Sequence, residues 1–481
     1  EDTSHPDWLS WIRFQRDSFE EYVTAYCDAV HSHKPGVLVC SNWMQTFKNP
    51  GEPKVPTDWI SGDNTWVFGL DGSRCEARFI STRGKPWDIM LWSFYRSGNM
   101  RDPASPWCVK PVQMLQQEAA VTLALGGNLQ IYENPGKVRD GRLASWRMKR
   151  LGQVGDFVRA RQSLCQGSET IPQVAILHSE THFYSQSVGN LRNGHDALPV
   201  EGAVFSLLEN SFGVDILDEW ALLPKLQEFP MVVVPEQHNL SDRAVRKLKE
   251  YVKQGGRLLV TGAMTYERFG ARFLGARSVR VEEGSFYHVA AGAGAFPFFS
   301  ENWRLLKTSA ARELRQLMPH DLLDGEVCPH PAAVLNKIGK GSVAYVPADL
   351  FRYFRVNRYP FAREFIGELA AELSPKLKVR VEAPPCVDAI LRQKDGKTII
   401  HLINRLSGIP NQPGNGAVDE IPPAGPVKVV MKVSRRPRKV SVAFERGDPT
   451  WQCRPIRRGS RSVTLTAVVK EVHIHSALVV E

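Results

Sequence analysis

The chain has 481 residues, enough for about three domains of ~150 residues each. With 43% apolar and 23% charged residues, and with 12 Trp, 22 Phe and 11 Tyr, it is excluded from the disordered class, and no apolar run approaches the ~20 residues of a membrane span. The net charge of +10 sits in residues 376–481, which hold 19 basic and 9 acidic residues, while residues 1–375 balance 42 against 42 and give no reason to expect a nucleic-acid partner.

Residues 17–33 open with the capping-box pattern Asp17-x-x-Glu20, and Phe19, Tyr22, Val23, Tyr26, Cys27 and Val30 recur at helical spacing until Pro35-Gly36 stops them. A short apolar strand, Val37-Leu38-Val39-Cys40, is expected next, ending in Ser41-Asn42-Trp43. Asp58-Trp59-Ile60 runs into Ser61-Gly62-Asp63-Asn64 as a second strand, and residues 74–83 read as helix. Residues 86–92 read as a third, buried strand. A long helix from about Pro111 stops at Gly126-Gly127, and Asn128-Leu129-Gln130-Ile131-Tyr132-Glu133 is the fourth strand, followed by a basic helix over residues 143–162. Strand–helix alternation implies a parallel sheet, and four units fall short of the eight that close a barrel. Because the chain begins at Glu1 and not Met, with no visible signal peptide, residues 1–165 are expected to be the C-terminal half, strands five to eight, of a (β/α)8 barrel. The compartment stays open.

Residues 170–375 repeat an α/β pattern: strands at Val174-Ala175-Ile176-Leu177, Val214-Asp215-Ile216-Leu217, Met231-Val232-Val233-Val234, 257–262 and 342–346, with helices at 204–210, after Ser241-Asp242 and at 361–373. This is a flavodoxin-like, doubly wound pattern. Residues 376–481 change to short alternating strands (378–382, 398–404, 427–433) around a Pro/Gly-rich loop at 409–426, the texture of a small basic β-sandwich.

Ligand sites of parallel α/β barrels lie where the strands end. Those ends carry Asn42 and Trp43, Asp63 and Asn64, Trp92 and Ser93, and Tyr132, Glu133 and Asn134, with Glu76 and Asp88 nearby in sequence. Six tryptophans fall between Trp43 and Trp107. Aromatic faces cover the apolar side of a pyranose, amides and carboxylates bind its hydroxyls, and a carboxyl pressed against Trp has the raised pKa of a general acid. Glu76, Asp88 and Asp63 are therefore the catalytic candidates, and Asn42, Trp43, Trp92, Tyr132 and Glu133 the substrate-binding ones. The plainer alternatives are that Asp88 is a buried acid paired with Arg78 or Arg83, that Glu76 is an exposed helix residue, and that Asp63 caps a turn.

Elsewhere the signals are bland. The eight cysteines are scattered without a C-x-x-C pair, as free thiols and not metal ligands or disulfides would be, and no metal or cofactor is expected. The second domain lacks a nucleophile elbow, since the strand end reads Val260-Thr261-Gly262-Ala263, and it is expected to be catalytically silent. His178, His182 and His195 have no ligand spacing. The run Arg435-Arg436-Pro437-Arg438-Lys439, with Arg454, Arg457, Arg458 and Arg461, reads as a solvated face, with polyanion binding as the alternative.

The stretches "SNWMQT", "DWISGDN", "CEARFISTRGKPWDIMLWSF", "QEAAVTLALGGNLQIYENP", "VGDFVRARQ", "VDILDEWALLPKLQEFPMVVVPEQHNL" and "VKQGGRLLVTG" resemble bacterial α-L-fucosidase-like glycoside hydrolases, and more distantly β-galactosidases with a degenerate amidotransferase-like trimerisation domain. The resemblance spans most of residues 1–262. It implies retaining hydrolysis of a terminal α-L-fucoside, with a β-galactoside as the alternative, an oligo- or polysaccharide substrate, a homo-oligomer such as a trimer, and no membrane partner. It also implies a nucleophilic Asp at the end of barrel strand four, upstream of Glu1, and an acid/base at Glu76 or Asp88. The alternative of another class is a non-catalytic carbohydrate- or polyanion-binding scaffold.

Overall fold

In the computed structural model, residues 4–42, 46–64, 69–96, 105–134, 142–186, 197–407, 418, 420–457 and 460–481 are described. The protein is mixed α/β with several sheets, and its residues fall into two units: 1–22, 48–54 and 172–377 in one, 23–47, 55–171 and 378–481 in the other.

The first unit is built on a nine-stranded sheet. Five strands are parallel, in the spatial order Gly341–Val346, Arg257–Thr261, Met231–Val234, Val174–Leu177 and Val214–Leu217. Counted along the chain they stand 2-1-3-4-5, the winding of flavodoxin-like sheets. All but the ends of these strands are buried, as strands covered by helices on both faces must be. The helix Asp242–Gln254 shows why such segments form. Ser241 Oγ accepts from the Ala244 N–H at 3.1 Å, Val245, Leu248 and Val252 turn one face inward, and Gly255 ends the helix at φ 126°. Burying each of those side chains contributes roughly 1.5–3 kcal/mol.

The other four strands of this sheet are antiparallel: Pro331–Ile338, Arg312–Met318, Ala276–Ala291 and Gly294–Thr308. The last two form a long hairpin whose Phe286 and Phe299 face each other across the strands and are both exposed. No reading of the sequence above anticipates this insertion: its first strand alternates valine or aromatic residues with charged ones and is largely unburied, while the second buries Phe296, Phe298, Trp303, Leu305 and Leu306.

The second unit contains a three-stranded parallel sheet, Ile60–Asn64 beside Trp87–Trp92 beside Asn128–Tyr132. Ile60, Trp87, Ile89 and Leu91 point to one face and pack with Ala77 and Ile80 of the helix Gly69–Ile80 and with Ala120 and Ala124 of the helix Val112–Ala124. Gly62 is required on that face. A Cβ there would come within 2.4 Å of Ile80 Cδ1 and 2.6 Å of Glu76 Oε1.

The expected strand at 37–40 does not form. Among the described residues an isolated parallel bridge joins the following Asn42 to Ser61, the Val39 carbonyl accepts from the Asp58 N–H at 2.8 Å, and Leu38 is 67% exposed. The Val39 N–H is taken by the Asp58 carboxylate at 2.6 Å, a side-chain acceptor in place of a neighbouring strand. The first helix begins at Trp8 and not at Asp17, because Trp8 and Ile12 extend its buried stripe toward the N-terminus.

Residues 378–481 form two antiparallel sheets around a shared core that includes Val387, Leu402, Val429, Leu465 and Leu478. One sheet holds Val379–Glu382, Val427–Val433, Val463–Val469 and Thr450–Pro455. The other holds Val440–Ala443, His475–Val480, Lys397–Asn404, Val387–Lys394 and Glu169–Thr170. Part of the 409–426 loop, residues 409–417 and 419, lies outside the described residues. The sandwich is fused to the parallel sheet within this unit. Ile390 and Ile403 join the core of the helix-covered face, Gln117 Nε2 donates to the Asn404 and Leu406 carbonyls, and Asp388 accepts from Arg74 and Arg405 at 2.8 and 2.9 Å.

Candidate functional site

Side chains alternate across a strand, so the residues between the core positions of the three parallel strands all emerge on the opposite face. In register across the sheet these are Ser61, Asp88 and Asn128, then Asp63, Met90 and Gln130, then Trp92 and Tyr132. Asn128, Gln130 and Tyr132 are exposed. The polar, open face of the sheet is the one that carries Asp63, Asp88, Trp92 and Tyr132.

At the C-terminal edge of that face the aromatic rings gather. Trp92 and Tyr132 meet edge to face at 5.1 Å, Phe94 lies 5.1 Å from Tyr132 and 5.2 Å from Trp92, and Trp107 stands against Phe94 at 5.2 Å. Tyr132 is 43% exposed and Trp107 41%. The Trp92 indole N–H is buried and has no acceptor among the described residues.

Beneath the rings the backbone is fixed by charge. Arg147 and Arg150 donate to the two oxygens of Glu133 at 2.6 and 2.5 Å, and Ser93 Oγ lies 2.9 Å from both the Tyr132 carbonyl and Glu133. Arg150 also donates to the Lys110 carbonyl at 2.8 Å, and the Lys110 ammonium is buried against Glu118 at 2.9 Å. Burial pushes the Glu118 carboxyl up, while Lys110 pulls it down. Glu133 therefore spends its oxygens on two arginines and holds the strand end in place. Its location at a strand end is what the sequence reading used; the arginines that occupy it lie 14 and 17 residues further on.

The three carboxylate candidates separate. Glu76 lies on the helix side of the sheet, over Gly62, where it is buried and accepts from the Phe47 N–H at 3.3 Å. It is not the exposed helix residue that was its plainer alternative. Asp88 is on the open face but four residues before Trp92, a distance of ~13 Å along the strand. Its Oδ2 accepts from Gln130 Nε2 at 2.7 Å and Trp59 Nε1 at 3.1 Å, and its Oδ1 is buried without a partner among the described residues. Its partners are an amide and an indole, not the Arg78 or Arg83 of its plainer alternative. The same carboxylate, after burial itself, helps push the Cys40 thiol up to about 12. Asp63 stands one strand over and two residues below Trp92, ~8 Å between Cα atoms from sheet geometry. Of the three it is the carboxylate nearest the rings.

Asn42 is exposed at the sheet edge, and Trp43 lies outside the described residues. Gln130, Trp59 and Phe94 were missed as contributors. The strict alternation Asn128-Leu129-Gln130-Ile131-Tyr132 held the signal for Gln130.

In the other unit, the strained turn after Met231–Val234 is occupied by Glu236, at φ 54°. Its carboxylate accepts from the Phe351 and Arg352 N–H groups at 2.8 and 3.1 Å and from Thr261. Burial, followed by the neighbouring Asp349, pushes it up to about 8. With every oxygen engaged it braces a helix start against the sheet. His182 is buried and pushed down to about 3, by burial first and His238 next. His195 lies outside the described residues.

No protein-family model matches the chain. No curated protein matches it. Among solved structures it is similar to α-L-fucosidase isoenzyme 2 from Paenibacillus thiaminolyticus, with a TM-score of 0.76 and 18% identity over 97% of this chain and 71% of that one. It is also similar to the β-galactosidase from Bacillus circulans sp. alkalophilus (TM-score 0.65, 13% identity, 98% and 68%) and to the cold-adapted β-galactosidase from Rahnella sp. R3 (TM-score 0.62, 16% identity, 98% and 68%). At these identities the likeness is one of fold, and the fold is one found in glycoside hydrolases.

Proposed function

We propose that this chain serves a glycoside hydrolase acting on the terminal sugar of an oligo- or polysaccharide, with an α-L-fucoside as the substrate and a β-galactoside as the alternative. The observation that supports this reading most is the position of Asp63 beside the Trp92–Tyr132 pair on an open polar face. The rings offer a stacking surface for the apolar side of a pyranose, and Asp63 a carboxylate on the same face of the sheet. The β-galactoside alternative draws on the likeness in fold to two β-galactosidases.

Within the proposal Asp63 carries chemistry as one carboxylate of the pair that retaining hydrolysis needs. Asp88 and Glu76 hold the sheet and its flanking turn. The α/β domain of residues 170–375 is proposed as catalytically silent and as the seat of self-association, with the exposed Phe286–Phe299 pair as its contact. The test is calorimetric titration of this chain with L-fucose and D-galactose, run beside release of the aryl group from an aryl α-L-fucoside and an aryl β-D-galactoside by a chain that also carries the nucleophile the resemblance implies. Binding of L-fucose that weakens in Asp63→Asn and Tyr132→Ala is the expected result. Neither turnover nor binding with either sugar would remove the reading.

A further inference from the structure

The excess of cations in the sandwich is gathered at one end of it. Lys378 stands just before the strand Val379–Glu382, opposite Lys432 near the end of Val427–Val433. Thr464 is the next partner across the sheet, and Arg454 the one after it. Adjacent strands are ~4.8 Å apart, so this row offers charge and hydroxyl at regular short spacing. Arg435 and Arg436 follow the second of these strands. Arg457 and Arg461 sit in the turn that joins Thr450–Pro455 to Val463–Val469, at the same end. Arg438 and Lys439 enter there too, paired through their backbones with Glu481.

None of these side chains has an ion-pair partner among the described residues; Arg436 lies over the Trp451 ring at 5.7 Å. The carboxylates nearby are Glu481, which Lys397 holds at 3.0 Å, Glu169, which accepts from Gln393 at 3.1 Å, Asp395 at a hairpin tip, and Glu382 further down the sheet, which Lys428 holds at 3.0 Å. The end of the sandwich also has a shape. A groove of about 350 Å³ opens between the two sheets, with Lys378, Lys432 and Arg435 on one side and Gln393, Thr398 and Glu481 on the other.

We propose that this cationic end binds an anionic polysaccharide, through its sulfate or carboxylate groups. Arginine forks and lysine ammonium groups at strand spacing match repeated anions along a chain, and Thr398 and Thr464 supply partners for the hydroxyls between them. Nucleic acid fits less well. Its single strands need aromatic platforms, and the ring at this end, Trp451, is half-buried beneath Arg436. The site is distinct from the Trp92–Tyr132 face and does not depend on hydrolysis there.

The test measures binding of the whole chain to dextran sulfate, polygalacturonate, unmodified dextran and a short DNA duplex across a salt series. The expected result is binding to one or both acidic polymers that weakens as salt rises, none to dextran, and duplex binding weaker by about 10-fold or more. Lys432→Glu/Arg435→Glu should weaken acidic-polymer binding by about 10-fold or more, and Lys432→Gln/Arg435→Gln by less. Lys307→Glu/Lys340→Glu, in the other unit, should leave it unchanged. Absence of binding at low salt, equal or tighter binding to the duplex, or equal loss in the Lys307/Lys340 variant would overturn the proposal. L-fucose titration of the Lys432/Arg435 variants separates this outcome from failure of the sugar site.

Discussion

Trp92 and Tyr132 are the last residues of two neighbouring parallel strands, and their rings meet edge to face at 5.1 Å and 89°. The geometry follows from register. In a parallel pair the aligned side chains leave the sheet on the same face, and an edge-to-face contact is the favourable one for two rings so placed. It leaves Tyr132 open to solvent while Phe94 supports it from the side.

Tyr132→Ala should therefore weaken L-fucose binding by about 10-fold while changing thermal stability little, because the ring is close to half exposed. Calorimetry and a thermal melt of the same sample check both.

The three carboxylates should behave differently when neutralised. In a chain that also carries the nucleophile the resemblance implies, Asp63→Asn is expected to reduce aryl-fucoside turnover by ~100-fold with an unchanged melting temperature. Glu76→Gln and Asp88→Asn should each cost about 1–3 kcal/mol of stability, since each weakens hydrogen bonds to a buried carboxylate. Turnover that follows Glu76 and not Asp63 would move the chemistry to the other side of the sheet.

Asp388→Ala should be among the most destabilising single changes, about 3–5 kcal/mol by urea unfolding, because it removes the buried carboxylate shared by Arg74 and Arg405 and leaves the buried Arg74 with Asp71 alone. Burial alone would raise the Asp388 carboxyl, but Arg74, Arg405 and Arg78 outweigh it and hold the group below its ordinary range. A depressed carboxylate contributes stability above its unfolded value of ~4 and loses it as pH falls toward the folded value. The wild type should therefore lose stability steeply below about pH 4, and Asp388→Asn should show a shallower acid slope.

Histidine produces an earlier loss. His401 Nδ1 and His475 Nε2 are 3.1 Å apart, and Arg161 donates to the other nitrogen of His475. Burial, then Arg392, pushes His401 down to about 3; burial, then His401 and Arg161, pushes His475 well below its usual value. Both are neutral when folded and take up a proton when unfolded below ~6.5, so stability is complete above that pH and falls beneath it by roughly 1.4 kcal/mol per pH unit for each. Unfolding midpoints in urea between pH 7.5 and 5 check this, and a flat profile would contradict it.

The exposed Phe286–Phe299 pair should mediate self-association. Light scattering is expected to give a multimer for the wild type and a smaller species for Phe286→Ser/Phe299→Ser. A wild-type monomer would remove the contact.

Much of this was legible one residue at a time. The five parallel strands of residues 170–375 are continuous apolar runs, and burial on both faces makes such runs readable. The open face of the smaller sheet was legible in part, because the strand ends gave Trp92 and Tyr132 their place. The sequence could not show on which side of the sheet a helical carboxylate falls. Glu76 is decided by the packing of Ile80 against Gly62, and Glu133 by two arginines one helix away. The 37–40 strand misled for a related reason. Its backbone donor goes to the side chain of Asp58, which apolar pattern does not reveal.

The most direct test of the central claim is calorimetric titration of L-fucose into the wild type, Asp63→Asn and Tyr132→Ala. The account predicts binding to the wild type that weakens by about 10-fold or more in both variants, at equal melting temperature for all three. Undetectable binding to the wild type, or equal affinity in the three proteins, would contradict it.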